Sequence, residues 1–285
     1  MTAVFALAGT GHYLVNRRRR ELARRNLRRV CRWLVEHDLG TAGTGAATRD
    51  PRALERLVRD AFRHHARYYL EVLRTPALSA GYVAAHLSID DQAGMSEVFD
   101  ARRPDRGVLF VGMHFGAMEL PARYAVVHTG RPALVPMETV ADPALQAWFE
   151  RQRGAVGVEL VDPLGAGRRL IERARQGGVV AVVGDRDVLG GGRPTELFGA
   201  LARLPVGPAL VAIEAGVPAW VAAARRTGPG TYAARIVPIA APPAGQLKAR
   251  VVGFMAAQAR AFERLVTEAP EQWWTLLFPI WEDEP

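Results

Sequence analysis

Apolar residues recur at helical spacing through the first quarter of the chain and in short unbroken runs through its middle, so two kinds of element are expected. Between Arg17 and His37, the residues Leu22, Leu27, Val30, Cys31, Leu34 and Val35 mark the inner face of an amphipathic helix. A second helix opens at Asp50 or Pro51 and carries Leu54, Leu57, Val58, Ala61, Phe62, Tyr69, Leu70, Val72 and Leu73 to about Arg74. Residues 38–48, rich in glycine and threonine, are expected to form a loop. That loop is no phosphate-binding motif, because no strand precedes it and no Gly-Lys-Ser/Thr closes it. His64 and His65 are adjacent on the second helix and point in different directions, which suits partly exposed structural residues better than metal ligands.

After Pro104 the rhythm changes. Apolar runs at Val108–Met113, Ala133–Met137, Val158–Val161, Val179–Val183, Ala219–Ala223 and Arg235–Pro238 alternate with helical stretches at Gly116–Val127, Asp142–Arg153, Gly167–Gln176 and Pro205–Ala215. The alternation predicts an α/β fold: a central, mostly parallel mixed sheet with helices on both faces, preceded by N-terminal helices. Ligands of such sheets bind beyond the carboxyl ends of the strands. A last helix over about Lys248–Glu268 leads to an aromatic tail with Trp273, Trp274, Phe278 and Trp281.

Composition adds two constraints. With 285 residues and 49% hydrophobic content, the chain can bury a substantial core, and the single cysteine, Cys31, excludes a disulfide framework and multi-cysteine zinc patterns. The net charge of +8 favours acidic partners, and Lys248 is the only lysine, so the charge is nearly all arginine. Arginine suits forked phosphate binding, and equally reflects the amino-acid bias of a GC-rich genome. Nine arginines fall between Arg17 and Arg32, opposed by Glu21, directly after the apolar run Ala3–Val15. That run is shorter than the ~20 residues of a spanning helix, and its positive charge follows where a secretory signal has it first. Residues 1–37 therefore read either as a basic amphipathic, membrane-associating segment for an anionic leaflet or as a solvated helix with a frayed end. Residues 38–285 form the α/β domain.

The sharpest motif is Val108-Leu-Phe-Val-Gly-Met-His-Phe-Gly-Ala-Met-Glu-Leu120, where a strand delivers His114 to its carboxyl end and a helix begins at once. Glu119 is expected to fold back and hold one imidazole nitrogen, leaving the other to accept a proton as a general base. Asp185-Arg186-Asp187 follows the all-apolar strand Val179–Val183 and faces the same crevice if the strands are parallel; such charges need partners or a ligand. Arg153, Arg186 and Arg203 are candidate phosphate ligands, or surface charges. Pro205-Val-Gly-Pro-Ala resembles a helix start whose amides bind an anion or stay solvated. Segments near Phe198 and Leu204 line an acyl-chain tunnel or simply fill the core.

His114-Phe-Gly-Ala-Met-Glu119 resembles the His-x4-Asp/Glu motif of glycerolipid acyltransferases, in the His-x-Gly-x-Trp-Glu/Asp form of the lipid A biosynthesis acyltransferases and their phosphatidylinositol mannoside acyltransferase relatives; Met118 stands in place of the tryptophan. Val183–Gly199 and Ala202–Leu210 resemble the family's second block, and Glu138, Arg153, Asn26-Leu27 and Pro270-Glu-Gln-Trp273 fall in the family's order. The resemblance runs from about residue 15 to 281 and implies a glycerolipid-acyltransferase-like fold. It further implies His114 and Glu119 as catalytic residues, with Asp185 chosen over Glu196 as the acid that helps hold His114 or the acceptor. Glu138, Arg153, Arg186, Glu196 and Arg203 are the substrate-binding candidates.

The expected activity is transfer of a fatty acyl group from acyl-CoA or acyl carrier protein to a hydroxyl of a phosphatidylinositol mannoside-like glycolipid. It takes place on the cytoplasmic face of the plasma membrane, with the protein peripheral or monotopic. No metal and no cofactor beyond the donor are called for, and no nucleic acid is expected. No serine lies in a Gly-x-Ser-x-Gly elbow, and direct attack needs no enzyme nucleophile. The alternatives are acylation of an amine or soluble metabolite, and, from another class, a non-catalytic binder of anionic lipid or nucleic acid.

Overall fold

The computed structural model describes residues 2–90, 92–99 and 105–282. Four helices come first: α1 (Thr2–Val15), α2 (Arg17–Glu36), α3 (Ala42–Arg49) and α4 (Pro51–Arg74). Then follow α5 (Ala80–His86), β1 (Leu87–Ile89), α6 (Gln92–Val98), β2 (Val108–Gly112), α7 (Glu119–Thr129), β3 (Ala133–Pro136) and α8 (Pro143–Gly154). After these come β4 (Val158–Val161), α9 (Ala166–Arg175), β5 (Val179–Val183), β6 (Arg193–Leu197), β7 (Ala200–Leu204) and α10 (Gly207–Ala215). The chain closes with β8 (Ala219–Gly228), β9 (Thr231–Ile239), α11 (Leu247–Val266) and two short 3-10 turns at Pro270–Gln272 and Trp274–Leu277.

Seven strands form one sheet in the order β1-β9-β8-β2-β5-β3-β4, antiparallel only between β8 and β9. The mostly parallel mixed sheet is therefore the one expected, with helices on both faces. β2 and β5 lie at its centre, paired in register from Val108↔Val179 to Gly112↔Val183. β3 pairs with β5 only at Ala133 and Leu134, then leaves it to follow β4 as far as Pro136↔Val161. The sheet thus opens between β5 and β3 toward its carboxyl end.

Three regions depart from the sequence expectation. Residues 42–49 are helical, not a loop: Thr41 caps the helix, accepting from the Thr44 amide, and Thr44 and Ala47 are buried against their neighbours, so packing overrides the two glycines. β6 and β7 form a separate hairpin around Phe198-Gly199, both with positive φ, a geometry matching strand twist. Their alternating charged and apolar residues give only a weak strand signal. β8 and β9 extend well beyond their apolar runs because the backbone ladder continues through Arg225 and Arg226 opposite Ala233 and Tyr232.

The N-terminal helices share the core of the sheet domain. On α2, Ala23, Leu27, Val30, Cys31 and Leu34 are fully buried in the cluster that contains Phe198, Phe262 and Trp273. α1 is docked across α4, not frayed: His12 and Tyr13 set their rings edge-on to Phe62, and Arg63 donates to the Thr10 hydroxyl at 3.0 Å. The crossing is close enough to need Gly9, where a Cβ would lie 2.7 Å from both the Arg63 Cα and the Phe62 carbonyl oxygen. The outer face of α1, with Val4, Leu7, Leu14 and Val15, is exposed, Val15 at 82%. No helix among the described residues is long and apolar enough to cross a membrane.

Gly9 and Gly11 therefore respond oppositely to a side chain. Gly9→Leu is expected to lower unfolding free energy in urea by about 1–3 kcal/mol through overpacking. Gly11→Leu, with nothing within 4 Å of its Cβ position, leaves stability unchanged or slightly raised.

Candidate active site

Gly112 of β2 and Val183 of β5 are paired in register, and each chain runs two residues further before turning, to His114 and Asp185. Parallel pairing of adjacent central strands thus sets these side chains opposite each other at the carboxyl edge of the sheet. Asp185 accepts the His114 Nδ1 proton at 2.8 Å through Oδ1. Through Oδ2 it accepts from the His114 amide at 3.0 Å, Trp273 Nε1 at 2.8 Å and the Thr275 hydroxyl at 2.7 Å. Burial opposes a charge on this carboxylate, but the His114 charge and these donors prevail and hold its pKa at about 2. With Nδ1 engaged, Nε2 is the nitrogen left to exchange a proton with a ligand. The Trp274 ring lies edge-on to the imidazole with centroids 4.3 Å apart.

The loop bearing His114 is pinned from both sides. Gly116 adopts φ +56, and a Cβ there would lie 2.0 Å from the Ala224 carbonyl oxygen, so the motif's glycine is required by backbone approach as well as by conformation. On the β8 side, the Ala117 amide donates to the Ala224 carbonyl at 2.8 Å. On the other side the C-terminal tail meets the loop in one antiparallel bridge, Phe115 opposite Trp273: Gly116 donates to the Gln272 carbonyl at 3.1 Å and Trp274 to the His114 carbonyl at 3.0 Å. Arg226 locks the arrangement. It donates to the Gly116 carbonyl at 2.7 Å, pairs with Glu71, and reaches His64 Nδ1 at 3.2 Å. His64 is buried with its pKa pushed down to about 2 by burial and by Arg226 and Arg67, so it is neutral and accepts that bond.

Glu119 does not orient His114. It is buried at the first turn of α7, and its Oε1 accepts from Arg153 at 3.1 and 3.2 Å, while Arg153 also donates to the Tyr68 hydroxyl at 3.3 Å. A buried carboxylate takes the nearest cation, and Asp185 already occupies His114 Nδ1. Glu119, Arg153 and Tyr68 form one wall of a cavity of about 1160 Å³ that also includes His114, Glu138 and Arg186. The cavity is lined from both faces of the sheet, by Phe110, Ala125 and Ala181 on one and Leu170, Val182 and Leu210 on the other. It passes where β3 parts from β5.

Two candidates fall outside the cavity. Glu196 is exposed on the β6 hairpin strand, and Arg203, on β7, pairs with Glu282 at 3.0 Å and donates to the Gly192 carbonyl at 2.8 Å. The hairpin carries both away from the strand ends. Phe198 and Leu204 are fully buried core residues and do not line the cavity. His64 and His65 are also buried, not partly exposed; His65 packs against Trp274 with centroids 5.2 Å apart. Sequence reasoning missed Arg226 and Thr275 altogether, and it placed Gln272, Trp273 and Trp274 in the closing tail without bringing them to the site. The aromatic tail was visible as a block, but nothing in its spacing relates it to His114, more than 150 positions earlier.

The model of the bacterial lipid A biosynthesis acyltransferase family matches residues 47–281. The chain is also similar to proteins named phosphatidylinositol mannoside acyltransferase. One, from Mycolicibacterium smegmatis, is 29% identical over 165 residues, which is 56% of this chain and 53% of that protein. Another, from Mycobacterium tuberculosis (strain CDC 1551 / Oshkosh), is 29% identical over 178 residues, 60% of this chain and 53% of that protein. The chain spans about half the length of the curated relatives it matches.

Two measurements test this architecture. A carboxyl held at about 2, below the ordinary 3.8, contributes stability that is fully present above pH 3.8 and lost as pH falls toward 2. Urea unfolding between those limits is expected to show a shallower pH slope in Asp185→Asn than in the unmodified chain. Arg226→Met leaves Glu71 without its cation and is expected to cost about 3–5 kcal/mol in the same assay, as breaking a buried pair does.

Proposed function

The chain belongs to the bacterial lipid A biosynthesis acyltransferase family, and on that premise we propose that it moves a fatty acyl group from a thioester to a hydroxyl of a glycolipid. The donor is acyl-CoA or acyl carrier protein, and the acceptor is phosphatidylinositol mannoside-like, as the names of the related proteins suggest. The observation that carries the reading is the His114–Asp185 pair opening onto a large cavity walled largely by apolar side chains. At about 1160 Å³ the cavity exceeds the usual small-molecule range of about 300–1,000 Å³, as two substrates meeting at one base require.

In the proposed reaction, His114 Nε2 removes the proton of the acceptor hydroxyl as its oxygen attacks the thioester carbonyl. Asp185 stabilises the imidazolium that forms. Collapse of the tetrahedral intermediate breaks the C–S bond, and the leaving sulfur takes the proton back from His114. The acyl ester and the carrier thiol are the products, and no metal or further cofactor enters the balance. Glu119 acts on Arg153, holding its guanidinium in the cavity wall. The acyl chain lies in the apolar passage between β5 and β3, where Ala181, Val182 and Val135 leave room within the sheet.

The reading includes a membrane. The exposed apolar face of α1 and the arginines of α2 suit an anionic leaflet, and they would seat the protein peripherally or monotopically on the cytoplasmic face of the plasma membrane. Labelled palmitoyl transfer from CoA and from carrier protein, to phosphoinositol mannosides, lysophospholipids and amines, tests the whole proposal. Transfer to a glycolipid hydroxyl is expected, falling about 10²- to 10⁴-fold in His114→Ala. Undiminished transfer in that variant, or a preference for amines, overturns it.

A further inference from the structure

Two guanidinium groups converge on one ring beside the catalytic pair. Arg186, the residue after Asp185, lines the cavity and holds its guanidinium carbon 4.0 Å from the Phe278 ring centroid. Arg19, in the first turn of α2, holds its own 4.6 Å from the same centroid. The two guanidinium carbons can be no further apart than those distances together allow. The ring they share is fixed to α2, because the Asn26 side chain donates to the carbonyls of Leu276 and Phe278, each at 3.0 Å.

Neither cation has a carboxylate partner among the described residues. Several other arginines do: Arg17 pairs with Glu21, Arg24 with Glu55, Arg63 with Asp60, Arg153 with Glu119 and Arg226 with Glu71. The positive potential collects at one place. His65, packed nearby, has its pKa pushed down to about 4 by burial first, and then by His12, Arg19, His114 and Arg186. Two half-buried guanidiniums that share one aromatic ring and have no carboxylate partner are an arrangement that an anion completes.

The position indicates which anion. Leu14 and Val15, at the end of the exposed apolar face of α1, lie just ahead of Arg19 in the chain, and Arg186 stands at the cavity next to the His114–Asp185 pair. A lipid whose tails stay by α1 and whose headgroup sugar reaches His114 has its phosphodiester between the two. We propose that Arg19 and Arg186 form a clamp for the phosphodiester of the acceptor lipid, with the N-terminal basic helix supplying half of it. The identity of that lipid as acceptor rests on the acyltransferase reading. Arg19 lies ahead of residues 47–281, so the clamp includes a group outside the segment that defines the family.

Titration of the full chain with dihexanoyl phosphatidylinositol, a soluble phosphodiester lipid, tests the clamp without turnover. Arg19→Ala and Arg186→Ala are each expected to raise its Kd about 10- to 100-fold, the scale of a lost charge-assisted hydrogen bond. Arg19→Lys, which keeps the charge and loses the fork, falls between. Arg25→Ala, exposed on the same helix, is expected to stay within about twofold, as general surface charge does. All four are checked for folding by circular dichroism, and Arg19 is a half-buried helix residue whose loss should leave the fold intact. An unchanged Kd in Arg19→Ala overturns the clamp. So does a loss that falls on coenzyme A instead, which would make it a donor site, or inorganic phosphate that competes as tightly as the lipid does. A wild type that binds the lipid but transfers no acyl group retires the acyltransferase reading and leaves the clamp standing.

Discussion

The structure depends on one fully buried carboxylate. Asp185 sits at the end of a central strand with four donors around it, from two distant parts of the chain: the His114 amide and imidazole just after β2, and Trp273 and Thr275 from the C-terminal tail. A buried charge without such donors costs several kcal/mol, so the tail must return to the carboxyl edge of the sheet for that strand end to be stable. Two of the four bonds that make the carboxylate tolerable also orient His114, and the other two hold the carboxylate in place for it. Stability and chemistry are satisfied by one set of contacts.

That requirement spreads outward through backbone, not through side chains alone. The tail meets the His114 loop in one antiparallel bridge, Gln272 is tied to the backbone of Arg226 by two bonds of 2.8 and 2.9 Å, and Arg226 holds Glu71 of α4 and the Gly116 carbonyl together. α4 in turn carries α1 and supports α2. The N-terminal helices, the central sheet and the tail are therefore one packed unit around the site, and groups as far back in the chain as Arg19 come within reach of the residues next to Asp185.

The cavity follows from a second constraint, the short pairing between β3 and β5. Two register positions hold these strands together, and beyond them the sheet parts. Small and partly exposed residues along the gap, Ala181 on one face and Val182 on the other, leave a passage where a fully paired sheet would have been solid. A site at a strand end normally offers a crevice outside the sheet; here the crevice continues through it.

The fold class was legible in the sequence because it is written in periodicity, which is local. Unbroken apolar runs of Val108–Met113 and Val179–Val183 mark buried parallel strands, and the spacing along α2 and α4 marks their inner faces. The position of His114 at a strand end was equally local, as was the need for glycine after it. What the sequence could not decide was partnership. Glu119, five residues away, was the nearest acid in the chain, yet the imidazole belongs to Asp185, 71 positions on, because parallel register brings β2 and β5 side by side. Arg153 looked available for phosphate and is held by Glu119; Glu196 and Arg203 looked close to the site and are carried off by a hairpin whose turn residue, Phe198, gives no sign of its positive φ. Sequence by itself determined the central strands, the long helices and the residue types that could do the chemistry. Only the tertiary structure decided which charges meet, because a buried ion is satisfied by what lies within about 3 Å of it, and distance along the chain has no bearing on that.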